Sequence, residues 1–192
     1  MNGPGFAAVD KFCTHSPGGG IILKRSVPVE LAVNSLNYYL KTVEIMGLPA
    51  DLPPELSGRA GVFVSLKKHG QLRGCIGTFL PVQSNIAAEI IHNAVSAGTN
   101  DPRFWPVKSE EMGELAVSVD VLSEPEPISS LDDLDPHRYG VIVARGQRRG
   151  LLLPDLEGVN TVEGQVAIAK QKAGIRPEEP VELYRFYVIR YI

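Results

Sequence analysis

The sequence predicts an α+β protein of two unequal lobes, each built from a duplicated hairpin-helix-strand unit, with mainly antiparallel sheet flanked by helices. Three observations carry this expectation. Residues 61–79 read as two β-rich runs around a short turn, residues 85–98 read as an amphipathic helix, and the same order of elements returns after residue 139. Alternation with period two marks strands, and apolar residues three and four apart mark helices.

Taken in order, residues 1–26 are rich in Gly and Pro and are expected to form a flexible arm or linker ahead of one domain spanning 27–192. Their triple glycine lacks the downstream Gly-Lys-Ser/Thr of a phosphate-binding loop. Residues 29–46 have helical spacing, with Gly47 and Pro49 as the stop. After an irregular connection at Pro53 and Pro54, "GVFVSL" (61–66) is a strand, "KKHGQ" a turn and "LRGCIGTF" (72–79) the returning strand. In the helix over 85–98, Ile86, Ile90, Ile91 and Ala94 lie on the packed side, while Glu89, His92 and Asn93 lie on a side expected to be solvated. "NDPRFWPV" ends that helix, "ELAVSVDVLSE" (114–124) alternates as a strand, and "PEPISSLDDLDPH" is a polar loop.

The second half echoes the first. Strands at 139–146 and 150–156 flank a turn at "QRR", a helix over 161–175 starts with Thr161 as its cap, and "VELYRFYVIRYI" closes the chain as one strand. Matching positions lie roughly 76 to 79 residues apart, too far for a solenoid repeat, so the pattern reads as an internal duplication. Gly61 then aligns with Gly140, and Arg73-Gly74 with Arg149-Gly150.

Composition narrows the function classes. The chain has 192 residues, 44% of them hydrophobic, and a formal net charge of -3 with Lys and Arg dispersed, which disfavours nucleic-acid binding. Cys13 and Cys75 form neither a disulfide framework nor a zinc spacing, as expected of a reducing cytoplasm. The first residues lack a signal-peptide pattern, and no apolar run approaches membrane-spanning length. Glu89 and His92 have the Glu-x-x-His spacing of carboxylate-bridged iron sites, but a second such pair is missing, so no metal site is expected. The residue pattern leaves any cofactor unknown.

The chemistry concentrates in Leu72–Phe79. Strand alternation places Arg73, Cys75 and Gly77 on one face. A guanidinium beside a thiol favours the reactive thiolate, and Gly77 leaves space for a ligand beside it. A strand cysteine is also a common core filler. In the second copy, however, Leu151 and Leu153 stand at the positions of Cys75 and Gly77, so packing alone does not require Cys and Gly there. "DPRF" adds Asp101, Arg103 and Phe104, which fit either a small polar ligand or an ordinary turn with an internal ion pair.

Together, "GVFVSL...QLRGCIGT", "DPRFWPV", "VSVDVLSEPEPI", "GLLLPDLEGV" and "KAGI" resemble the AMMECR-type domain, known in prokaryotes as AmmeMemoRadiSam system protein A, over about residues 28–192. Gly98 and Trp105 depart from the expected alanine and smaller residue. The resemblance implies two related lobes with a cleft near the "LRGCIG" hairpin. It also implies genetic association or fusion with a Memo-type protein similar to extradiol dioxygenases, and with a radical S-adenosylmethionine protein. On motif matching, Arg73, Gly74, Cys75, Ile76 and Gly77 carry the signature, and Asp101, Pro102, Arg103 and Phe104 carry its second element. Two functions follow as alternatives. One is an enzyme or enzyme component that binds a small molecule in the cleft, with Cys75 as nucleophile or thiolate ligand and Arg73 and Arg103 holding an anionic group. The other is a noncatalytic adaptor that uses the hairpin as a recognition surface.

Overall fold

The structure, a computed structural model, describes residues 26–192; the expected arm, apart from Ser26, lies outside the described residues. Helix α1 (Val27–Thr42) and the short α2 (Pro54–Ser57) precede the first hairpin, β1 (Val62–Lys68) and β2 (Gln71–Thr78). Helix α3 (Ile86–Thr99) follows, then β3 (Leu115–Leu122) and β4 (Glu126–Ile128). The second hairpin is β5 (Gly140–Arg145) and β6 (Arg148–Leu152), followed by α4 (Val162–Lys172), β7 (Glu182–Phe186) and β8 (Val188–Tyr191). They form two four-stranded antiparallel sheets, in the orders β2-β1-β3-β8 and β4-β7-β5-β6.

The expected duplication is present in the contacts. Each hairpin closes through a two-residue turn, at His69–Gly70 and Gly146–Gln147. His69, Gly70 and Gly146 have positive φ, as turns matching strand twist require. A Cβ on Gly74 would lie 2.1 Å from the Ala97 carbonyl oxygen, and one on Gly150 2.0 Å from that of Ala169. Both glycines therefore let a helix backbone rest directly on its hairpin. The Asn93 side-chain amide of α3 donates to the Val62 carbonyl at 3.0 Å, and Gln165 of α4 donates to Tyr139 at 2.8 Å. The two lobes are unequal because α1 also packs on the first. There the Leu36 side chain comes within 2.5 Å of where a Cβ on Gly98 would be.

The third strand of each unit runs on into the other sheet. β3 continues as β4 beside β7, and β7 continues as β8 beside β3. The two crossing chains are tied where the Ser123 N–H donates to the Tyr187 carbonyl and the Tyr187 N–H donates to the Ser123 hydroxyl, each at 2.9 Å. The closing segment expected to be one strand is thus divided between two sheets, and the supposed polar loop contains β4.

Other expectations are corrected locally. α1 ends four residues before the predicted end at Met46, because Val43 turns left-handed (φ 62°) while its N–H caps the Tyr39 carbonyl. The second turn lies at 146–147 instead of "QRR", so Arg148 and Arg149 belong to β6. Leu66 faces Gly74 as Val143 faces Gly150, so the counterpart of Gly140 is Phe63 rather than Gly61. Glu89 and Asn93 are buried, at 1% and 5% exposure. The Glu89 carboxylate accepts from the Val82 and Gln83 backbone N–H groups and from Thr78, closing the loop after β2. Of the helix side read as solvated, His92 is exposed as expected, while Glu89 and Asn93 are spent on satisfying backbone groups.

Candidate functional site

Between the outer face of the first sheet and the β6 side of the second lies a cleft of about 1180 Å³. Across the first sheet, Ser65 stands in register between Cys75 on β2 and Ser118 on β3, and all three line the cleft. The same row in the second unit is Leu151, Ile142 and Tyr184. Small polar side chains have replaced three bulky ones. On the second sheet's corresponding face Ile142, Ala144 and Tyr184 line a separate pocket of about 170 Å³ together with Phe79 and Leu80, while Leu151 lies on the wall of the large cleft.

Cys75 is half-buried and unpaired in any disulfide, and the Ser65 hydroxyl donates to its sulfur at 3.2 Å. The loop after α3 grips its backbone. The Cys75 N–H donates to Asp101 Oδ2 at 2.9 Å, and Arg103 Nη2 donates to the Cys75 carbonyl at 3.3 Å. Arg103 also holds Asp101 in a fork, Nε to Oδ1 at 2.9 Å and Nη2 to Oδ2 at 2.7 Å. Asp101 is 4% exposed. Hydrogen bonding from Arg103, against the opposing effect of burial and with help from the Cys75 N–H, keeps its carboxyl far below the usual carboxylate range. Phe104 lies beside this pair, its ring centre 5.5 Å from the Arg103 guanidinium carbon.

Three sequence expectations about the site are overturned. Arg73 does not stand beside the thiol, because a β-bulge intervenes. Leu66 faces Gly74 but Lys67 faces Leu72, so Arg73 is left without an opposite residue and strand alternation breaks. Its guanidinium forks onto Glu111 at 3.1 and 2.9 Å and donates to the Trp105 carbonyl at 2.9 Å. The second unit repeats this brace with Arg148 and Glu179 at 2.9 Å, although that unit has no thiol. Glu111 and Glu179 are each held down to about 2, chiefly by Arg73 and Arg148 and next by the backbone N–H groups of Lys108 and Arg176. Gly77 opens no ligand space, because the Phe63 ring covers it; a Cβ there would lie 2.2 Å from Phe63 Cγ. Gly74 faces α3 instead of the cleft.

Sequence reading missed the opposite end of the cleft floor. Asp120, 3% exposed, receives a fork from Arg190, Nε to Oδ1 at 2.8 Å and Nη2 to Oδ2 at 3.0 Å. Asp120 in β3 falls on the strand face opposite Val119 and Val121, so alternation along the strand gave it no mark, and its pairing with Arg190 of β8 comes only from the sheet register. Ser65 and Ser118 share that outward face with Asp120.

Two related α+β units, with a cleft between them that carries a thiol on the first unit's wall only, define the class of protein. The chain belongs to the AMMECR1 family, whose model matches residues 29–191. It is 52% identical over 167 residues to a Thermotoga maritima protein, covering 85% of this chain and 95% of that one. It is 53% identical over 165 residues to Clostridium acetobutylicum protein CA_C1420, again covering 85% of this chain but only 35% of that longer one. The crystal structure of the uncharacterized Pyrococcus horikoshii protein PH0010 superposes with a TM-score of 0.79 at 36% identity, covering 85% of this chain and 88% of that chain. The names of these relatives state no activity. Among the described residues, no helix is long and apolar enough to cross a membrane.

Proposed function

We propose that the interlobe cleft binds a small molecule that meets Cys75, and that the protein works as an enzyme or enzyme component. The observation that carries this reading is the Cys75–Ser65–Ser118 row. The same row in the second unit uses the bulky Leu151, Ile142 and Tyr184, whereas this row leaves depth beside a thiol. Asp101 and Arg103 fix the backbone at Cys75, the kind of positioning a reacting or coordinating group needs. Memo-type and radical S-adenosylmethionine proteins are the proposed partners. The length of the Clostridium relative supports action beside further protein, since the matched region is about a third of it.

The test is native-state alkylation of Cys75, followed at its own peptide by mass spectrometry, in the presence and absence of a metabolite library. Modification without unfolding, slowed by at least one compound, is expected. A Cys75 that reacts only after unfolding sinks the reading. Copurification with the two proposed partners tests the assembly.

A noncatalytic adaptor is the second reading, favoured by Trp105. Its side chain is 88% exposed, yet Arg73 holds its carbonyl and that of Pro106, so the indole stands on a braced loop. Exposed, pre-positioned tryptophans are common binding anchors. Under this reading Trp105→Ala abolishes partner copurification and Cys75→Ser leaves it intact.

A further inference from the structure

We propose that Lys67 and Arg103 form an anion subsite beside Cys75, so that the molecule entering the cleft carries a carboxylate or phosphate next to the atom that meets the sulfur. This rests on the cleft being a binding site and adds the substrate class.

Lys67 and Ser65 are two residues apart on β1 and share its cleft-facing side, and Ser65 is directly opposite Cys75. The bulge sets Lys67 opposite Leu72, and Lys67, Leu72 and Cys75 all line the cleft. The Lys67 ammonium has no hydrogen-bond or ion-pair partner among the described residues. At the strand's other edge, Arg103 uses Nε and Nη2 on Asp101 and the Cys75 carbonyl, leaving both Nη1 hydrogens unspent. The other charges of this wall are engaged. Glu114 is turned to Lys68 at 3.2 Å and His69 at 2.9 Å, and Asp120 is forked by Arg190. Two cations with free donors therefore flank the thiol, and Asp101 below it is occupied on both oxygens. Arg103 is fixed by a buried carboxylate, so its orientation toward an incoming oxoanion is set before binding.

The experiment compares alkylation of Cys75 by iodoacetate, which carries a carboxylate next to its reactive carbon, with alkylation by neutral iodoacetamide. In both, the sulfur attacks the methylene carbon, a C–S bond forms, iodide leaves and the thiol proton passes to solvent. Glutathione supplies the reference ratio of the two rates. The subsite raises the ratio at Cys75 above that reference. Lys67→Met then lowers the ratio, because one positive charge leaves the cleft, while Lys67→Arg keeps it. High salt lowers the ratio in the wild-type protein. Competition by inorganic phosphate against acetate for the iodoacetate reaction identifies which oxoanion fits better.

Two outcomes overturn the subsite while leaving the cleft reading standing. One is a wild-type ratio equal to glutathione's with both reagents reacting; the other is a ratio unmoved by Lys67→Met. If neither reagent reaches Cys75 in the folded protein, the cleft reading and the subsite fall together.

Discussion

The two hairpins solve the same packing problem and differ in what they leave on the outside. Each rests a glycine under a helix carbonyl, each has its first strand's leading carbonyl held by a helix amide, and each braces a glutamate with an arginine. On the other face the first presents Cys75, Ser65 and Ser118, and the second Leu151, Ile142 and Tyr184. The shared features are therefore those the fold needs. Those found in one unit only, including the Asp101–Arg103 clamp and the Asp120–Arg190 fork, are the ones to question for function.

The hardest test of the shared set is Gly74→Ala against Gly150→Ala. Each added methyl meets a main-chain oxygen that cannot swing aside, so each variant should lose about 3 kcal/mol or more of stability by chemical denaturation. A large loss in one and none in the other would break the equivalence.

A smaller effect is expected at the braces, where pH separates the contributions. The carboxyls of Glu111 and Glu179 are depressed in the fold, so their stabilisation is full above the ordinary glutamate range. It fades as pH falls from about 4.5 towards about 2. Arg73→Ala and Arg148→Ala should each flatten this acid limb of a melting-temperature profile without moving the neutral-to-alkaline side. An unchanged limb would show that the braces contribute nothing.

The smallest change in stability should come from rewriting the row itself. Cys75→Leu with Ser65→Ile and Ser118→Tyr copies the second unit onto the first, and the circular dichroism spectrum should be retained while binding of the protecting compound, measured by titration calorimetry, disappears. Cys75→Ser alone should shift stability by less than about 1 kcal/mol, since the side chain is only half-buried. A triple variant that still binds the protecting compound would place the site elsewhere.

Local elements of this fold were legible in the sequence because period-two and helical patterns each reflect one buried face. The duplication was legible through Gly74 and Gly150, whose spacing reflects a steric need repeated in both units. The crossing of β7 into β8 was not, since "ELYRF" and "VIRY" form one unbroken β-rich run and nothing local says that the sheet changes at Tyr187. Arg73 was misplaced for a related reason. A bulge is set by how two strands meet, and alternation along one strand carries no record of it. Cys75 was visible, but the depth of its surroundings came from Ser65 and Ser118, which become neighbours only once three strands are in register.

The exchange of final strands also orders events in time. β8, which follows every other described strand along the chain, is the edge partner of β3 in the first sheet, while β4 from the first half waits for β7. Pairings this distant along the chain form late. The lobe that is translated first is thus completed last, and the Arg190 fork on the cleft floor closes only once β8 has been made.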